Sequence, residues 1–585
     1  MDVGRRTRWM TARRNTIALG IVLAIGVTSV AGAQTPPGAA TGAPYTPAAG
    51  ARDLKAVLFN WMWGMGMLKG TDEREMVATL EYQGRGTIQV DGQPCALTRF
   101  RASTNYQSFT QRIQYACTRP NTQTYSNIEV VSGRYAWNET DLGAEIGGAK
   151  GTATPMPAAV QERLIRIWAS PQGAAKAALA GTTDAFWLGA NPGTLFEDGA
   201  AKVKDTSVTW DGAKPVVTFP IPGVAGATAT ATLDAKYMTE KVVVTHGATT
   251  TEFTYANYQD WNNPLNKIEV FYAGRMTERR NGAVVRDLTT TETETGNVYV
   301  IAPVPASVRQ AMPVTAQIPK GVFAKPEPPV AAAPTPRLGS RPDLSGVWQY
   351  TDWIGNYMGN GGRRCGPTQE KGCNRSINQT EDFELYSPSR FGMLNLPQYK
   401  PEHWNKIQEL DMWTNKYDPV MTCQPLGVPR QGPPRRIYQT ENDITFIYFG
   451  GDAGGGYGEY RIVPIDGRKH AENAGFDATY FGVTVGRWEG DTLVLDSVGF
   501  IDTTWLGRGG FFHTSDMHVV EKFTRQGDTI LYDVTVEDPE VLLEPWVLPT
   551  RTMRRNANAN AGLIRERGNC ETSFETEAAA SQIRH

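Results

Sequence analysis

Cysteine and histidine are scarce in this chain of 585 residues, which has six of each. No Cys-x-x-Cys pair occurs, and the cysteine spacing fits no zinc ribbon. An excess of either charge is missing as well. Lys and Arg number 58 against 60 Asp and Glu, a net charge of −2, so nucleic acid is not an expected partner. After the leader no long apolar run occurs, and no transmembrane segment is expected in the processed chain. The phosphate loop, the Gly-x-Ser-x-Gly elbow and the His-Glu-x-x-His zinc motif are all absent. No standard catalytic signature is left, and no cofactor or resident metal is expected.

What is present begins with an export leader. Arg5, Arg6, Arg8, Arg13 and Arg14 face a single acid, Asp2, and an apolar run from Ile17 to Val30 ends in Ala31-Gly32-Ala33. That order of charged, apolar and small residues reads as a signal peptide over 1–33, cleaved near Ala33. The rival reading, an uncleaved anchor, needs about 20 apolar residues. No Cys follows the cleavage site, so a lipid anchor is not expected. The expected location is the periplasm of a Gram-negative bacterium or the exterior. In that oxidising setting the cysteines are expected to pair as Cys95 with Cys117, Cys365 with Cys373, and Cys423 with Cys570. Metal ligation is the alternative use for them.

Composition then divides the chain. Residues 34–50 are a Pro-, Gly-, Ala- and Thr-rich leader, and a linker over 311–340 contains the Pro-rich stretch Pro326 to Pro336. Domains are expected over 51–310 and 341–575, with a mobile tail at 576–585. In the first domain Leu54, Val57, Leu58, Trp61, Met62, Met65 and Leu68 recur at helical spacing, predicting a helix from Ala51 to Lys69. Alternating segments between Met76 and Val131, and again between Ser207 and Thr293, read as strands around a second helix from Ala158 to Ala180. The second domain opens with Gly346-Val347-Trp348, then runs through alternating strands from Ile437 to Met553. Turns at Asp466-Gly467, Glu489-Gly490-Asp491 and Gln526-Gly527-Asp528 punctuate them as an antiparallel meander able to close.

Both halves resemble known β-structures. Gln161-Glu162-Arg163-Leu164 through Lys176-Ala177-Ala178, then Tyr255 to Trp261 with Pro264, and Asp287-Leu288-Thr289 with Asn297, are similar to the LolA-like half-open barrels of the lipoprotein-carrier superfamily. The likeness is greatest to the accessory domains that precede metallo-β-lactamase-fold domains. The second half resembles a widespread, mostly uncharacterised family of exported bacterial lipocalin-like β-barrel proteins. The residues that carry it are Ser345 to Trp348, Cys423 to Pro429, Arg461 to Arg468, Gly486 to Val494, His513 to Asp516 with His518, Glu521 to Phe523, and Glu537 to Pro539. Together they imply a mainly β chain, a half-barrel followed by a barrel. They imply no settled activity.

Two sets of residues could carry chemistry. His513, Asp516 and His518 cluster at the entry of a predicted strand, where a His beside a carboxylate can act as acid–base group. Two His and a carboxylate can also hold a metal with open positions. Around them Arg461, Asp466, Arg487, Trp488, Glu489 and Asp491 could line a barrel mouth as ligand-binding residues. Equally, these residues serve as turn hydrogen bonds, a cross-strand Arg487–Glu489 pair and a core tryptophan. The expected role is binding of an apolar or aromatic small molecule, since both architectures enclose pockets. The alternatives are a hydrolase, lyase or isomerase using the His/Asp cluster, and a structural envelope protein.

Overall fold

A computed structural model describes residues 47–69, 74–75, 77, 79–106, 108–180, 205–261, 270–295, 299–312, 334–350, 397–412, 417–419, 424–448, 459–507, 509–548 and 550–558. The leader, Cys365, Cys373, Cys423, Cys570, most of the Pro-rich linker and the tail lie outside these residues. The protein is mainly β: a large antiparallel sheet in the first half and a nearly closed antiparallel barrel in the second. No helix among the described residues is long and apolar enough to cross a membrane.

The large sheet has 13 strands. Thr79–Val90 lies near its middle. On one side the order runs through Gln93–Asn105, Thr110–Thr118, Thr124–Ser132 and Tyr135–Glu139 to Ala153–Pro155. On the other it runs through Ala283–Thr295, Phe271–Arg280, Thr249–Asp260, Thr239–His246, Thr228–Leu233 and Lys214–Pro220 to Ser207–Asp211. The period-2 pattern sends Leu80, Phe100, Tyr255 and Leu288 to one face, and helices cover it. Trp61 of the helix Leu54–Gly64 and Trp168 of the helix Val160–Ala169 are fully buried there.

Both helix predictions overran, each for a local reason. The first helix begins at Asp53, whose side chain accepts the Ala56 N–H, and stops at Gly64. Gly66 adopts φ +71° and lets the Met67 N–H return to Met62 O, the usual close of a helix on a left-handed glycine. The predicted helix Ala158 to Ala180 is two, Val160–Ala169 and Pro171–Ala180. Pro171 disfavours helical backbone at Ser170, which is extended (ψ 159°) and whose Oγ accepts the Gly173 N–H.

Cys95 and Cys117 form a disulfide between neighbouring strands, as the sequence suggested. The bond spans 22 residues, and closing such a loop removes unfolded-state entropy worth about 3 kcal/mol. A Cys95→Ser/Cys117→Ser variant should lose about that much stability, measured by urea unfolding without reductant; an unchanged midpoint would refute the estimate.

The barrel is ordered Glu459–Pro464, Asp443–Tyr448, Arg436–Gln439, Gly346–Tyr350, Arg551–Arg555, Thr529–Glu537, His518–Gln526, Thr492–Val498 and Val483–Glu489. Trp546–Val547 pairs separately with Thr529–Glu537. The predicted strand from Trp546 to Met553 is thus two short pieces, with Leu548 to Thr550 between them. The two end strands meet without a ladder: the Gly467 N–H donates to Gly486 O at 3.1 Å. Gly346, at φ +147°, opens the strand that bridges the two ladders, and Trp348 is buried with the Arg525 guanidinium 5.1 Å from its ring. Phe446, Phe523 and Tyr532 stack through the interior.

The halves are packed together rather than merely tethered. Residues 299–308, which the sequence placed within the first domain, contribute to the core beside the barrel through Tyr299 and Ile301 and to another through Ala302, Val304 and Val308. Asn105 and Arg112 of the large sheet donate to Val300 O and Ile301 O. A helix the sequence analysis missed, Trp404–Met412, lies on the same face, with the Arg112 guanidinium 4.5 Å from the Trp404 ring. Contact is close enough that a Cβ on Gly143 would sit 2.5 Å from Pro401.

Candidate functional site

The residues singled out from the sequence do not converge on one mouth. His513 is 3% exposed and packs edge-on to Phe500. Its Nδ1 faces Thr514 O at 2.9 Å, so the proton sits there, and Nε2 accepts from Thr504 Oγ1 at 2.6 Å. Burial pushes the His513 pKa down, which keeps the ring neutral. Asp516 is exposed in the turn before the strand, not on it, and its N–H donates to Thr514 Oγ1. Asp516 and His518 therefore do not lie on one strand, because the strand begins only at His518.

The other candidates form local pairs. Asp466 receives Arg468, whose hydrogen bonds hold its carboxyl at about 2. Asp491 receives Arg337 at 2.9 Å, which depresses its pKa. Arg487 and Glu489 bond to each other at 2.7 Å along one strand rather than across strands, since positions two apart share a face. Trp488 is half-buried against the barrel core, with Arg341 at 5.9 Å from its ring.

Arg461 points inward instead. It contacts Glu521, whose side chain is wholly buried, and donates to Tyr448 Oη at 2.7 Å, while Tyr532 Oη donates to Glu521 at 2.7 Å. Burial works against the Arg461 charge, but Glu521 outweighs it and raises the guanidinium pKa. This pair fills the barrel interior and is a structural element of it. The polar hydroxyls of Thr484 and Ser497, 2.9 Å apart, complete the lining beside it.

Two hollows lie in or beside the large sheet. On its helix-covered face about 40 Å³ remains among Tyr82, Tyr106, Tyr255, Tyr272, Arg166 and Glu278. The larger, about 240 Å³, lies where the opposite face meets the helix Trp404–Met412. Glu81, Gln83, Arg101, Glu292 and Glu294 come from the sheet; Asn405, Gln408 and Glu409 come from the helix. Its walls are braced across the junction. Arg101 Nη1 and Nη2 donate to Asn405 at 3.0 Å and Gln408 at 2.8 Å, and Gln408 Nε2 donates to buried Glu81 at 3.2 Å. Glu81 also accepts from Ser103 at 2.6 Å, and Arg101 Nε lies 2.8 Å from its other oxygen. Gln83 donates to Glu292 at 2.9 Å.

Sequence reasoning missed this cleft because its strand and helix residues come from distant parts of the chain, Glu81 and Gln408 at a separation of 327. The available signal was the run of Glu and Gln at alternating positions, Glu81 and Gln83, and Glu292 and Glu294, which marks a polar strand face. No family model matches the chain, and no curated protein matches it.

Proposed function

We propose that this chain is an exported binding protein whose ligand is a small polar molecule carrying a cationic group, held in the cleft between the large sheet and the helix Trp404–Met412. The observation behind the reading is the cleft itself. It lies at the junction of two packed halves, a preferred place for ligand sites. Its lining carries four carboxylates and one guanidinium. At about 240 Å³ it is somewhat smaller than the roughly 300–1,000 Å³ of drug-sized sites, which favours a compact ligand. The resemblance of the two halves to carrier-like and lipocalin-like β-structures supports a binding role as a class. An apolar ligand, the expectation from sequence, finds only about 40 Å³ open on the helix-covered face. The acid–base reading loses support because His513 is sealed behind Phe500 while Asp516 is exposed in a turn.

Spermidine serves as the cationic probe and palmitate as the apolar one, each followed by calorimetry and thermal unfolding. Spermidine should bind and raise Tm. Glu409→Gln, on an exposed helix position, should weaken it about tenfold, the value of one charge-assisted hydrogen bond. Palmitate binding with no response to spermidine would refute the polar-ligand reading and restore the apolar one.

A further inference from the structure

We infer that the outer wall of the barrel carries a site for a borderline divalent transition ion of the zinc type, built from His470, Asp496 and His518. Asp496 sits on the strand Thr492–Val498 and His518 opens the neighbouring strand, both on the face away from the barrel core. His470 reaches them from the loop after Glu459–Pro464. Nε2 of His470 lies 2.9 Å from Asp496 Oδ1, and Nε2 of His518 lies 3.1 Å from the same oxygen. Three donors of two kinds thus converge from three separate segments.

The spacing suits a metal. In a tetrahedral site with bonds of about 2.0 Å, neighbouring donors stand about 3.3 Å apart. The N···O separations here are 0.2 to 0.4 Å short of that. Both histidine nitrogens now touch the same Asp496 oxygen, and as they stand no three such side chains among the described residues are arranged to hold a metal ion. A small outward turn of Asp496 opens the space. The donor set excludes calcium and magnesium, which take oxygen ligands, and suits ions that accept imidazole.

The surroundings carry a second, independent sign. His518 Nδ1 lies 3.1 Å from Glu537 Oε2. A ligating histidine almost always gives its other N–H to a carboxylate or carbonyl, which fixes the tautomer and aims the free nitrogen at the metal. The strand register places that carboxylate there, since His518 and Glu537 are directly paired. Meanwhile His470 Nδ1 is buried and has no hydrogen-bond partner, so nothing fixes that ring except what its Nε2 holds. All three side chains are between a fifth and a third exposed, open to an ion from solvent.

The test uses the untagged full chain, with Zn²⁺ titrated against a chelator and Co²⁺ as a spectroscopic stand-in. One equivalent should bind, with Co²⁺ giving the absorption of a tetrahedral or five-coordinate site. His470→Gln and His518→Gln should each abolish that spectrum, Glu537→Gln should weaken Zn²⁺ about 10- to 100-fold, and His246→Gln should change nothing. Affinity should fall as the solution is acidified, because imidazole ligates only when deprotonated. No binding by the parent chain would overturn the inference. So would binding equal in the parent, His470→Gln and His518→Gln, which would place the ion elsewhere. None of these residues lines the cleft, so failure here leaves the spermidine result intact.

Discussion

Replacing Glu521 by alanine should cost about 3–5 kcal/mol, the penalty for leaving a buried charge without its partner. Arg461 would then keep Tyr448, a 3.5 Å contact to Thr484 and the Phe446 ring at 5.2 Å inside the barrel, none of which carries a charge. Tyr532 would lose its acceptor as well. A domain's total stability is of order 5–15 kcal/mol, so a loss of this size brings the barrel close to unfolding at ordinary temperature. Removing both charges together, as Arg461→Leu/Glu521→Leu, should recover most of the loss, since an apolar pair avoids the desolvation of two ions. Urea unfolding of the two variants decides the matter. If the single variant unfolded at the parental midpoint, the pair would not be holding the barrel interior.

The second large effect is expected in the first half. Arg166 donates to Glu278 at 3.0 and 3.1 Å and contacts Glu162, while Arg280 contacts Glu162 at 2.6 Å and Arg286 contacts Glu129 at 3.3 Å. Arg166→Met strips Glu278 of its bidentate partner beneath the helix Val160–Ala169 and should cost about 3–5 kcal/mol. The acid response gives a separate readout. Burial works to raise the Glu162 pKa, but Arg166 and Arg280 outweigh it and hold the carboxyl at about 2, below the ordinary glutamate range. Glu278, likewise opposed by burial, is also drawn down by Arg166 and Arg286. A depressed carboxyl stabilises the fold above its unfolded pKa, and that stability is lost as pH falls through the folded value. The parent should therefore lose stability progressively from about pH 4.5 towards 2. In Arg166→Met both carboxyls rise towards ordinary values and less stability remains to be titrated, so the acid slope in that window should flatten. An unchanged slope would mean that Arg280 and Arg286 carry the effect without it.

What was legible in the sequence was periodicity. Most strands between Thr110–Thr118 and Thr529–Glu537 stand within a few residues of where alternation placed them, because each buries one face and exposes the other, whereas Tyr135–Glu139 and Ala153–Pro155 fall outside the segments that alternation marked. The Cys95–Cys117 bridge was legible for a related reason: both cysteines fall on strands that a short connection must bring together. Long-range partners were not legible. Arg461 looked like a mouth residue beside Asp466, yet the pleat turns it inward to Glu521, 60 positions away. His518 was grouped with His513 because they are close in sequence. One faces out to Asp496 and Glu537, and the other is sealed behind Phe500. Asp538, whose carboxylate accepts the Thr514 N–H at 2.7 Å, pins the loop that separates them. The helix Trp404–Met412 went unread because its nine residues show the apolar period only through Trp404, Ile407 and Leu410, too short a run to stand out.

The centre of the large sheet also sets an order of events. Thr79–Val90 pairs on one side with the strand that follows it, and on the other with Ala283–Thr295, about 200 residues later in the chain. Every other pairing in that sheet joins strands consecutive in sequence. Two meanders can therefore form early and independently, from Thr79 to Pro155 and from Ser207 to Thr295, each by local steps. Their union must wait until the chain has been made as far as Thr295, and such non-local closure is slow. Until it happens each meander presents an open edge of unpaired amides and carbonyls, the natural template for a strand from another molecule. The seam between Leu80 and Thr295 is thus where a newly made chain is most exposed to mispairing, and the point at which the first half becomes a single sheet.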